Sequence, residues 1–334
     1  MVILQRAVQY FEAETEGVHE IPLITTPYTD KKIPIPTILL LVFSVLLLIA
    51  FAVVTFILIR KRTKNWGYSL IVGLAAYLVF VYALNMVVLF GVNYIPGLST
   101  YFETHMLVYN LIMMVFAFLF ETLAVLVGLK IYQSTAEKRE LAPELGAPLI
   151  YGFAFYLAAI LVSQQLTYSF EYVMVCASIN QMGFDTAVSA MVDGGIAEEE
   201  AISSLLALTD QNPVEYILDS FVFMAKACIQ TSAIVLTYGV YNKKLEKKFL
   251  GAALGLLAAY YIPSIISFFV ELPTIVMFIM TILIGAAVVF VAYRIVSKYM
   301  PDDLRELLVI KQQSGGKKGS SKQQKMPKIV MPKD

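Results

Sequence analysis

LIMMVFAFLFETLAVLVGL, residues 111–129, carries a single charge, Glu121. A helix needs about 20 mostly apolar residues to cross the roughly 30 Å hydrocarbon core of a bilayer. The stretch therefore reads as the centre of a membrane span over 106–131. Runs of the same kind occupy 36–59, 68–92, 148–177, 214–241, 249–269 and 272–296. The chain is 59% hydrophobic and 15% charged, which is too apolar for a soluble domain of this size. The expected fold is an all-α, polytopic integral membrane bundle of seven transmembrane helices spanning residues 36–299. An N-terminal segment, 1–35, precedes it, and a tail, 300–334, follows it.

The charges outside the runs give the expected orientation. One set of connections carries Arg60, Lys61, Arg62 and Lys64, then Lys130, Lys138 and Arg139, then Lys243, Lys244, Lys247 and Lys248, then ten more from Arg294 to Lys333. The opposite set carries only Arg6, Lys31 and Lys32, all before the first run, and the loops 93–105 and 178–212 have none. The positive-inside rule places the C-terminus in the cytoplasm and the N-terminus outside. Lys31 and Lys32 pull against this assignment. The first 30 residues lack the basic start, apolar core and small-residue site of a cleavable signal peptide. The acidic outer loop contains GIAEEEAISSLLAL, which reads as a short amphipathic helix on the membrane surface or over the bundle. The tail KQQSGGKKGSSKQQKMPKIVMPKD is poor in apolar residues and expected to be disordered. Its seven lysines suit anionic lipid headgroups.

Several chemistries find no support. Cys176 and Cys228 lie in apolar stretches and read as packing residues, His19 and His105 lie outside the runs, and no HExxH or CxxC occurs. No metal site or cofactor is expected. No Gly-rich phosphate loop and no basic stripe interleaved with aromatics argues for an ATPase or a nucleic-acid reader.

Ionisable groups inside a membrane are costly and mark bundle interiors or functional cavities. Two stand out, Glu121 in the third run and Lys226 in the fifth. Asn110, Ala117, Glu121, Ala124 and Gly128 recur at helical spacing, as do Asp219, Lys226, Gln230, Ala233 and Thr237. Each set is a small-or-polar face of the sort that packs on other helices. One expectation is a buried Glu121–Lys226 ion pair completed by Gln230 and Asn110. The other leaves Glu121 lining a polar cavity, free for proton transfer. Gln164, Gln165, Glu171, Tyr260 and Ser264 are lesser candidates, read as contacts between helices.

The order of these features resembles a known family. FILIRKRTKNWGYSLIVGLAAYLVFVYAL, LFETLAVLVGLKIY, LIYGFAFYLAAILV, NPVEYILDSFVFMAKACIQTSAIVLTYGVYNKK and LLAAYYIPSIISFF are similar in sequence of elements to the YhfC family of glutamic-type intramembrane peptidases. That family is distantly related to the CAAX-prenyl protease and PrsW group. The resemblance covers most of 38–296 and implies a prokaryotic cytoplasmic membrane. It also implies losses. Glu121 stands at the first position of the family's Glu-Glu motif, but Thr122 stands at the second and Val125 at its Arg. Gly152 is kept, while Phe155 and Ala159 stand near a His and a Glu. Asp219 and Ser220 replace Glu-Arg, and Ala227 falls near a His. Tyr260 and Ser264 correspond to a His and an Asp. A carboxylate that activates water needs polar partners, and the resemblance leaves Glu121 with few. The implied reading is a degenerate member, a non-enzymatic scaffold or subunit binding a transmembrane partner or client. An active peptidase based on Glu121, and a small-solute or ion transporter, are the alternatives.

Overall fold

The protein is seen in a computed structural model that describes residues 26–95, 97–141, 143–162, 165–210 and 212–308. The tail from residue 309, with its lysines, and the stretch 1–25, with His19, lie outside the described residues. Every regular element among those described is helical. Five helices are long and apolar enough to cross a membrane, and two apolar helices are shorter.

Helix α1 (Ile35–Arg60) starts behind Pro34 and runs without interruption to the first basic cluster. The second run is α2 (Trp66–Ala76), a π-helical stretch π1 (Tyr77–Ala83) and α3 (Leu84–Tyr94). A short α4 (Leu98–Thr104) leads into α5 (Met106–Leu123), a second π-helical stretch π2 (Ala124–Gly128) and α6 (Leu129–Lys138). The fourth run, expected as one long span over 148–177, is two helices, α7 (Gly146–Val162) and α8 (Gln165–Met182). The first is buried on nearly all sides, and the second leans on α1 and on the cap described next.

The cap comprises α9 (Phe184–Asp193) and α10 (Glu198–Asp210). The amphipathic stretch expected in this loop is α10, and its Ala201 and Leu205 are buried in a cluster with Phe184, Val188 and Met191 of α9. Packing against α9 buries that apolar stripe. Helix α11 (Pro213–Tyr241) follows, with Asn212 capping its first turn by accepting the Val214 N–H at 3.1 Å. The sixth run, expected over 249–269, is broken into α12 (Lys248–Ala259) and α13 (Ile262–Ser267) by a turn at Tyr260 and Tyr261. Pro263 sits in the first turn of α13, where its missing N–H costs nothing. Helix α14 (Thr274–Tyr299) and the short α15 (Pro301–Leu308) end the described chain.

Helix α11 is the axis. It packs on α1, α7, α12 and α14. Two-thirds (67%) of its most apolar window is buried, against 28% or less in the other four long helices. Close approach is made possible by small residues, as in membrane helix packing. A Cβ at Gly152 of α7 would sit 2.9 Å from Thr231 Cα, and one at Gly285 of α14 would sit 2.8 Å from Ala225 Cβ. The bundle therefore has two distinct ends. At one, the Glu144 carboxylate accepts the backbone N–H groups of Lys64 and Asn65, Gln133 donates to the Tyr241 carbonyl, and Lys244 pairs with Asp303. This end gathers the basic turns. The other end carries the α9–α10 cap and residues 26–33.

Candidate functional site

Glu121 sits in the last turn of α5 and is 2% exposed. Lys226 lies near the middle of α11, and its Nζ stands 2.8 Å from Glu121 Oε1. The two side chains are not equally enclosed. That of Lys226 is 29% exposed, so the pair is sealed on the glutamate side and reached from the lysine side.

Aromatic side chains complete the enclosure. Lys226 Nζ is 4.9 Å from the Tyr260 ring centroid, a cation–π distance. The Tyr261 hydroxyl lies beside the Glu121 carboxylate without closing hydrogen-bond geometry, and its ring meets Phe118 edge-on. Tyr77 of π1 feels both charges. Tyr260 and Tyr261 stand at the turn between α12 and α13.

The two π-helical stretches flank this centre. Tyr77 opens π1, and π2 begins three residues after Glu121. An i→i+5 turn widens a helix and frees carbonyls that need other donors. Tyr151 of α7 donates to the Ala124 carbonyl at 2.9 Å, and Tyr241 of α11 donates to the Leu126 carbonyl at 3.0 Å. Asn85 donates to the Val81 carbonyl at 2.8 Å. The widened turns let π1 and π2 pack on one another and let π2 meet α11. That contact carries Glu121 to within reach of Lys226.

The other expected residues divide. Gln230, one turn from Lys226, is 3% exposed, and its Nε2 has no hydrogen-bond partner. Asn110 does not complete the pair. It is exposed, eleven residues before Glu121, about 16 Å along the helix axis, farther than an asparagine reaches. Asp219 is half-buried and two turns from Lys226, about 10 Å along α11. Ser264 lies in α13 and is half-buried; its carbonyl accepts from Ser267. Gln164 and the side chains of Gln165 and Glu171 lie outside the described residues. His105 heads α5, stacked 4.3 Å over Tyr101, away from the centre. Cys176 and Cys228 are free thiols. Among the described residues, no group of His, Cys, Asp or Glu is arranged to hold a metal ion.

Residue-type reasoning misses Tyr77, Tyr151 and Tyr261. Each is a tyrosine in an apolar run, and nothing local separates it from a packing residue. The one available signal is that a buried Tyr hydroxyl must find an acceptor.

The arrangement is an ion pair with spare capacity. Oε1 of Glu121 is committed to the ammonium. Oε2, Gln230 Nε2 and the Tyr261 hydroxyl are buried without hydrogen-bond partners. The ammonium at 2.8 Å neutralises the carboxylate's charge and occupies one of its two oxygens. No family model, no curated protein and no solved structure matches the chain.

Proposed function

We propose that this chain is a non-enzymatic membrane scaffold or subunit, a degenerate relative of the YhfC peptidases, that receives a transmembrane partner or client. It would cross the membrane seven times with the N-terminus outside and the C-terminus in the cytoplasm. The five long apolar helices supply five crossings. The α7–α8 and α12–α13 pairs supply the other two, since neither Gly146–Val162 nor Lys248–Ala259 reaches the ~20 residues of a comfortable span by itself. The basic turns gathered at one end support the orientation.

The observation that carries the reading is the 2.8 Å approach of Lys226 to Glu121. A glutamic peptidase needs that carboxylate free to take a proton from water. Here it neutralises a lysine and ties the third run to the central helix. The pair then serves as a specificity device in the bundle, the use best attested for buried polar groups.

Affinity capture from native membranes in mild detergent tests this, with wild type and Glu121→Gln compared. A stoichiometric membrane partner recovered with both supports a subunit. A membrane protein enriched on Glu121→Gln alone is a trapped substrate and overturns it in favour of a peptidase.

One observation favours a second reading, a small-solute path. The unpartnered Oε2, Nε2 and hydroxyl at the centre suit a small polar guest. Solute flux in proteoliposomes that disappears in Lys226→Met would establish it.

A further inference from the structure

On the face of α11 away from the ion pair, α1 and α14 stand apart and leave a cavity of about 380 Å³ between them. Its walls are Phe51 to Ile59 of α1 and Val289 to Val296 of α14, its floor includes Cys228 and Ser232 of α11, and Leu304 and Leu307 of α15 line its end.

Three features define what fits. The first is length. Phe51 to Ile59 is eight residue steps and Val289 to Val296 seven, so the cavity runs about 10–12 Å along the helices. Half of a ~30 Å hydrocarbon core is about 15 Å, so the cavity belongs to one leaflet. The second is width. A helix about 10 Å across occupies on the order of 1000 Å³ over that length, well above the volume available. One extended acyl chain is slender enough. The third is charge. The α1 wall ends at Ile59, and Arg60, Lys61 and Arg62 follow at once. Arg60 is braced 4.6 Å over the Trp66 ring, and no described carboxylate pairs with these three. The α1 side of the rim of this apolar, chain-sized slot is therefore cationic.

We infer that this cavity is a binding site for one acyl chain of an anionic phospholipid, whose headgroup rests on the Arg60–Arg62 rim. The site is independent of the ion pair and of the subunit reading.

The test uses the full chain in detergent, stripped of lipid and then offered equimolar phosphatidylglycerol and phosphatidylcholine with matched acyl chains. Native mass spectrometry counts the lipid retained. The expected result is a preference of about tenfold or more for phosphatidylglycerol, the scale expected of a few basic residues near a surface. Neutralising the rim with R60Q, K61Q and R62Q together should remove that preference. Ala292→Phe, which fills the slot, should remove retention of both lipids. A readout on wild type needs no variant. Cys228 lines the cavity and Cys176 is fully buried, so maleimide labelling follows Cys228, and phosphatidylglycerol should slow it. Equal retention of the two lipids, or labelling indifferent to phosphatidylglycerol, overturns the proposal. So does a co-purifying membrane protein that shields Cys228 when added lipid does not.

Discussion

Two carboxylates are buried among the described residues, and they are satisfied in opposite ways. Glu121, 2% exposed in the bundle, has a charge for a partner, Lys226. Asp185, 4% exposed in the cap, has neutral donors: the Thr26 hydroxyl, the Thr26 N–H at 3.1 Å and the Thr29 hydroxyl at 2.7 Å. Burial pushes the Asp185 carboxyl up, but those hydrogen bonds outweigh it and hold it below the ordinary value. The difference follows from what each site has nearby. At the water-facing end, an irregular segment supplies backbone and hydroxyl donors in one turn. Inside a bundle of regular helices the backbone N–H groups are already spent, so a second long side chain must bring the charge. Asn180 repeats the neutral solution, donating to the Ile33 carbonyl at 2.8 Å and accepting its N–H at 2.7 Å.

The largest effect expected from breaking this contrast is at the centre. Lys226→Met should cost about 2–4 kcal/mol, since an unpaired buried carboxylate remains. Adding Glu121→Leu to it should restore most of that loss. Thermal unfolding in detergent across the four proteins of the cycle measures the coupling, and additive losses would mean the two charges do not depend on each other. At the cap, replacing Thr26 and Thr29 together with Val should cost about 1–3 kcal/mol and expose residues 26–33 to protease. Acid should act on the same contact. A carboxyl depressed in the folded state stabilises above its unfolded value, near 3.9, and that contribution is lost as pH falls through the lower folded value. Hydrogen exchange over 26–33 should therefore rise below about pH 4, and Asp185→Asn should remove that dependence. The smallest effect belongs to the support of π2. Tyr151→Phe leaves the Ala124 carbonyl without its donor and should cost about 1 kcal/mol by the same unfolding assay.

What the sequence discloses follows the same divide. Long apolar runs show themselves, and α1, α5, α11 and α14 lie close to where hydropathy puts them. Glu121 and Lys226 are legible as a pair because each is the ionisable group set deepest within its run. Asn110 misleads, because helical spacing identifies a shared face and says nothing of distance along it. Ser163, Gln164 and Gln165 mark the division between α7 and α8, and Pro263 marks the turn at Tyr260–Tyr261, but the apolar residues on either side carry each run past its mark. The π-helical stretches are silent. Their freed carbonyls are answered by Tyr151 and Tyr241, distant in sequence, and only the assembled bundle reveals the match. Asp185 reads as one acidic loop residue among six, because its donors lie 156 and 159 positions earlier.

The central place of α11 has a consequence for how the protein is made. It is the least apolar of the five long helices and the one with a lysine at its middle. A lysine at mid-span opposes entry into lipid by roughly 2.5–3.5 kcal/mol on insertion scales. The first four runs, Glu121 among them, leave the ribosome before α11 does. The segment that most needs a host thus emerges after its host, and synthesis order itself becomes part of the folding instruction.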